Sequence, residues 1–330
     1  MCVPHMFRLG LDTKISLNRV SSTVRHFTTV SVSFLVLYGL IITVANDVAN
    51  YEVIWEFSQD RSFIEVFNQR RLELGSLFIL WSFANYVSAI TMIFLTGVIA
   101  LSAKYYLFNK YINQTLIAYV LYVITFVHIL DANQLRAALA SCFIIYAILV
   151  PPKSKYTYLL LTTFAVLFHY SGVIILSLYF VRRPFFIISS VIIASLLFDA
   201  IVASSPLLSF AMVWLSGGAG NVSLINSFWI MQILIAILCA FNWKSLNEGQ
   251  KRGAFINMLG VIFYVAFQGS PIVAHRIREL SQLGILAILF LGSRRWTAVK
   301  FGTSLCFSYI VGYNMLLIAL ELMSIYDIRL

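Results

Sequence analysis

Residues 115–150 read TLIAYVLYVITFVHILDANQLRAALASCFIIYAILV. Two apolar runs, Thr115 to Leu130 and Leu135 to Val150, stand almost back to back, parted by Asp131, Ala132, Asn133 and Gln134. Each approaches the length, roughly 18 residues with few charges, that carries a helix across hydrocarbon. The tight polar turn between them makes them antiparallel neighbours, with their charges gathered at one end.

The pattern recurs on both sides. Apolar runs bounded by Gly, Pro or charge lie near Phe27 to Ala45, Leu74 to Leu101, Tyr156 to Val181, Phe185 to Ala203, Leu224 to Phe241, Ala254 to Phe267, Leu280 to Leu291 and Phe301 to Leu320. Hydrophobic residues make up 61% of the chain and charged residues 11%, whereas a soluble domain has roughly a quarter charged. The expected fold is all-α: one polytopic transmembrane helix bundle of about ten or eleven spans over 27–322. A basic segment, 1–26, precedes it, and a short tail, 323–330, follows.

The net charge of +10 sits in short groups between apolar runs and forms no stripe for nucleic acid. Those groups are topology signals. Arg8, Lys14, Arg19 and Arg25 precede the first apolar run with no cleavage pattern after it, as in a signal anchor with a cytoplasmic N-terminus. The acidic segment 47–73 then falls outside, Lys104 and Lys110 inside, Asp131 outside, and Lys153 and Lys155 inside. Counting from the other end puts Arg294, Arg295 and Lys300 inside, His275 to Glu279 outside, and Lys244, Lys251 and Arg252 inside. The counts meet at Arg182 and Arg183, and an even number of crossings must separate these from Lys155. Tyr156 to Val181 is too long for one straight span and too short for two full ones. A pair of half-helices turning at His169, Tyr170, Ser171 and Gly172 fits, lining a cavity at membrane depth. A single tilted helix is the alternative.

Charges in or beside spans are where a functional site is sought. The outward set is Asp60, Glu73, Asp131, Gln134, Arg136, His169, Arg276, Arg278 and Glu279. Arg136 lies in the first turns of a helix whose N-terminus already favours an anion. This points either to an anion held by backbone N–H groups and guanidinium, or to an Arg136–Asp131 pair closing the turn. Arg276 and Arg278 run against the inside bias of basic residues and read as a clamp for a substrate anion, or as loop charges offset by Glu279. His169 is a candidate proton acceptor or hydrogen-bond partner, or an interior histidine. Asp60 and Glu73 are the candidate carboxylates. Cys142, Cys239 and Cys306 stand singly, as buried small hydrophobes do, and no His, Cys or carboxylate set has metal-ligand spacing.

DANQLRAALASCFIIYAI, followed by YLLLTTFAVLFHYSGVIIL and preceded by RLELGSLFIL, resembles the EpsG-like branch of Wzy-type polysaccharide polymerases. The matching positions are Glu73, Arg136, Phe168, His169 and Ser171, with the later basic group at Arg276 and Arg278. Ala137 stands where the family often has glutamine. The resemblance implies a GT-C-like architecture and an enzyme that polymerises oligosaccharide repeat units carried on undecaprenyl pyrophosphate. Its products are O-antigen of lipopolysaccharide, capsule or exopolysaccharide, made at the outer, periplasmic face of the bacterial inner membrane. On that reading Arg136, Arg276 and Arg278 hold pyrophosphate, and His169, Glu73 or Asp60 accepts the proton. Asp131, Gln134 and Glu279 support them, and neither metal nor cofactor is needed. Partners are the lipid-linked donor and acceptor and a chain-length regulator, with no nucleic acid. A flippase for the same lipids, or an envelope ligase or acyltransferase, would use similar outward charges.

Overall fold

A computed structural model describes residues 5–43, 48–69, 72–132, 135–152, 154–181, 189, 227–267, 271–291 and 297–327, and every described element is helical. The chain is a polytopic helical membrane protein. Three described stretches are long and apolar enough to cross a bilayer: Ser22–Thr43, Ala89–Tyr111 and Thr115–Ala132. Shorter apolar helices pack around them. The expected run at 185–203 lies outside the described residues, apart from residue 189.

Helix α1 (His5–Thr43) packs antiparallel on α5 (Ala89–Tyr111), so that His26 meets Tyr105 and Tyr38 meets Phe94. The expected single helix from Leu74 to Leu101 is two. Helix α4 (Leu74–Phe83) ends before Ser88, whose hydroxyl accepts from the Thr91 N–H and starts α5 as an N-cap. Nor is 47–73 a plain loop. It folds into α2 (Val48–Ser58) and α3 (Phe63–Gln69), which bury Tyr51 and Val66 against the bundle.

Helix α6 (Thr115–Phe126) runs back along α5 and widens into a π turn, Val127–Ala132. Helix α7 (Leu135–Leu149) returns beside α5, and α8 (Lys155–Phe168) rises beside α7. Its 14 residues extend about 21 Å, short of a hydrocarbon core of about 30 Å. At His169 the chain reverses. It descends through a 3-10 turn (Tyr170–Val173), a single α turn, α9 (Ile174–Ser177), and a second 3-10 turn (Leu178–Phe180). The legs touch along their length. Tyr179 stacks edge-on to Tyr158 at 5.9 Å, and a Cβ at Gly172 would lie 2.5 Å from Ala165 Cβ. The half-helix hairpin forms, and the single tilted helix does not.

The second half is α10 (Ser227–Phe241), α11 (Glu248–Ala266), α12 (Pro271–Ser281), α13 (Leu283–Phe290) and α14 (Ala298–Asp327). Asn247 and Gln250 cap one another's backbone N–H groups and start α11 earlier than its apolar run suggests. Helices α11 and α13 meet backbone to backbone at Gly253 and Gly284, where a Cβ on either would come within 2.4 Å of the other's carbonyl oxygen. Gln232, Asn257 and Ser281 form a buried hydrogen-bonded link between α10, α11 and α12. The halves are joined at one end by Arg252, whose Nε donates to Ile148 O at 2.8 Å and takes up a carbonyl freed at the end of α7. Lys155, Glu248 and Arg252 line one cavity of about 850 Å³ there, so the segments that the charge count puts on one side do come together.

Gly172→Ala drives a methyl into the Ala165 backbone, whereas Gly39 has nothing within 4 Å of its would-be Cβ. Thermal unfolding of detergent-purified variants should show Gly172→Ala less stable by about 1–3 kcal/mol, with Gly39→Ala within about 0.5 kcal/mol of wild type.

Candidate functional site: two arginines at the tip of a re-entrant hairpin

Breaking a helix at membrane depth leaves carbonyl and N–H groups that hydrocarbon cannot satisfy. Here the protein satisfies them. Ser76 Oγ donates to Phe168 O at 3.0 Å, and His169 Nδ1 accepts from the Ser171 N–H at 3.1 Å. The first contact seats the start of α4 on the end of α8, where Gly75 leaves space beside the Leu167 carbonyl. The second has an electronic consequence: a ring nitrogen that accepts carries no proton, so the neutral imidazole holds its proton on Nε2 and is a donor there.

Glu73 precedes α4 in extended conformation, and its side chain leaves the helix end uncapped. It reaches Arg136 instead, Oε2 accepting from Nη1 at 2.8 Å. Glu73 Oε1 and Arg136 Nε are buried without partners, so each group keeps unused bonding capacity. Tyr51 of α2 lies against the same guanidinium. From the second half, α12 packs on the hairpin tip and brings Arg276, paired with Glu279 at 3.3 Å, within electrostatic reach of His169 and Tyr170. Arg136 reaches both of these residues as well, and Glu73 reaches Tyr170.

Glu73, Arg136, His169, Arg276 and Glu279 thus converge, drawn from four separate stretches of sequence. Other expected members do not join them. Asp131 neither pairs with Arg136 nor faces an outer vestibule: it is fully buried, with Lys104 on Oδ1 and the Tyr122 hydroxyl on Oδ2. Lys104, expected in a loop, is buried within α5. A charge unpaired in hydrocarbon costs several kcal/mol, so the long lysine stem extends to the carboxylate. Asp60, at a left-handed turn (φ 55°), donates its N–H to Asn85 beyond the far end of α4. Ten residues of helix separate it from Glu73, about 15 Å. Arg276 and Arg278 stand in a helix rather than a loop, and two residues of helix turn them roughly 200° apart. Arg278 therefore lies against the rings of Phe228 and Tyr264, at 5.5 and 5.4 Å, and meets the cluster only at its edge, where its Nη2 stands 4.0 Å from Glu279 Oε1. Gln134 lies outside the described residues. No three His, Cys, Asp or Glu side chains converge as metal ligands among the described residues.

Against this geometry a comparison of sequence is decisive: the EpsG family model matches residues 24–327. The chain belongs to the EpsG family. That family is one of Wzy-type polysaccharide polymerases, which supports a polymerase-like role for this member. No curated protein and no solved structure matches the chain.

Ser171, one of the positions that carry the EpsG resemblance, does stand at the tip, its N–H on His169 Nδ1. The sequence marks Tyr170 only as part of the turn, and Tyr51 not at all. Nothing in 47–73 singles out Tyr51. The cap at His169 is open to test. His169→Ala should lose about 1 kcal/mol of stability, and His169→Asn, whose Oδ1 can accept the same N–H, should recover most of it in thermal melts.

Proposed function

We propose that this EpsG family member polymerises oligosaccharide repeat units carried on undecaprenyl pyrophosphate, at the periplasmic face of the inner membrane. The supporting observation is the alternation of Arg136, Glu73, Arg276 and Glu279 around one buried tip. Without ligand each guanidinium is neutralised by a carboxylate, which low dielectric demands. A pyrophosphate offers a stronger, more highly charged partner that can engage the guanidinium bidentately, where Glu73 holds it through one oxygen. As it takes Arg136, Glu73 is released as a free carboxylate beside the reacting sugar. The acceptor hydroxyl oxygen attacks the anomeric carbon of the donor, and the bond from that carbon to the pyrophosphate oxygen breaks. The electron pair leaves on pyrophosphate, held by Arg136 and Arg276, and the hydroxyl proton passes to Glu73. His169 contributes Nε2–H as a donor to the sugar or phosphate.

No metal step is required, because two guanidiniums supply the charge. The distribution of basic residues supports a cytoplasmic N-terminus and a periplasmic site. A chain-length regulator is a natural further partner for such an enzyme, and the products would be O-antigen, capsule or exopolysaccharide.

The test is reconstitution. Purified protein given undecaprenyl-pyrophosphate-linked repeat units should yield multi-unit glycans and release one lipid pyrophosphate per new linkage. Arg136→Ala and Glu73→Gln should each lower the rate about 10²- to 10³-fold at unchanged protein level. Movement of the lipid between leaflets without elongation would overturn the reading in favour of a flippase.

His169→Asn separates stability from chemistry. It retains the cap but presents no donor where Nε2–H lies, so its rate should fall about tenfold or more while its melting temperature stays near wild type.

A further inference from the structure

Below the site lies a second set of charges that the proposed chemistry does not touch. Lys104 on α5, Tyr122 on α6 and Asp131 in the π turn are all wholly buried, and both carboxylate oxygens of Asp131 are engaged. The ammonium also stands 5.1 Å from the centre of the Tyr122 ring. Burying an ion pair is costly in low dielectric, and replacing one by well-packed apolar side chains is often neutral or stabilising. Stability alone is therefore a poor reason to keep it. Its position suggests another.

A π turn is a rare, locally strained arrangement that often marks functional places. This one, Val127–Ala132, is held from two sides. Asn314 of α14, itself buried, donates to Thr125 O at 3.3 Å, beside the junction where the α ladder gives way to π. Asp131, near its other end, is tied down to Lys104 and Tyr122. The turn packs on α1, α5 and α7, and Arg136 follows Asp131 by five residues, in the first turn of α7. Where the π turn is pinned, α7 begins, and where α7 begins decides where the Arg136 guanidinium can reach.

We infer that Lys104, Tyr122 and Asp131 form a latch that positions Arg136, and through it Glu73, for the leaving pyrophosphate. The three are positioning residues, and the inference rests on the proposed role of Arg136. Removing one partner alone would leave a buried charge and could simply unfold the protein. The informative variant removes all three polar groups at similar volume: Lys104→Met, Tyr122→Phe and Asp131→Leu together. Its expression and melting temperature should equal or exceed wild type. Its kcat per folded molecule should fall about 10- to 100-fold, since misplacing a reacting group by about 1 Å costs up to that much, and KM for the lipid-linked donor should rise. Backbone hydrogen exchange over residues 127–140 should quicken in the same variant. That readout needs no polymerase activity, so it separates failure of the latch from failure of the functional reading. Wild-type turnover or wild-type exchange in the well-folded triple variant would overturn the latch.

Discussion

Hydrocarbon offers no hydrogen bonds, and this single constraint organises the candidate site. A chain can reverse at membrane depth only if the protein itself takes up the freed backbone groups. At His169 it does so with an imidazole nitrogen and with the Ser76 hydroxyl of another helix. Those two contacts fix more than the backbone. The first sets the tautomer of His169, and the second places α4, so that the residue just before it, Glu73, arrives beside Arg136. The hairpin tip and the ion pair are thus consequences of one local solution to a solvation problem.

The same solvent shapes the electrostatics. Arg136 and Arg276 could not stand bare in so dry a place, and each has a carboxylate at 2.8 or 3.3 Å. Such pairs offset the charge of the ligand-free site, and on the proposed reading a phosphate takes the place of a carboxylate. Deeper in the bundle, Lys104 and Asp131 follow the same rule with no access to a ligand. The difference between the two kinds of pair is exposure: the Arg136 side chain retains 27%, whereas Lys104 and Asp131 retain none. On the proposed reading, partial access would let the first pair open to substrate while the second holds geometry.

Much of this was legible in the sequence, and for stated reasons. The apolar runs gave the helical membrane fold, and charge alternation at their ends required an even number of crossings between Lys155 and Arg182, which led to the hairpin. Glu73, Arg136, His169 and Arg276 could be shortlisted because charge in an apolar chain is rare. What the sequence could not show was direction. Asp131 and Arg136 are five residues apart and look like partners, but the π turn sends one down to Lys104 and the other across to Glu73. Arg276 and Arg278 look like an equal clamp until the helix turns Arg278 onto the Phe228 and Tyr264 rings, with Glu279 shared between them. Asp60 looks as close to the site as Glu73, until ten helical residues are placed between them. Linear spacing reports neighbours in the chain, whereas these outcomes depend on rotation about helix axes and on contacts between distant segments.

On the proposed mechanism, pyrophosphate replaces Glu73 on Arg136 at the hairpin tip. An experimental structure of the protein with undecaprenyl pyrophosphate bound tests it most directly. Phosphate oxygens should lie within hydrogen-bond distance of both Arg136 and Arg276, with the Glu73 carboxylate released towards the sugar position. Phosphate bound elsewhere, with Glu73 still on Arg136, would contradict it.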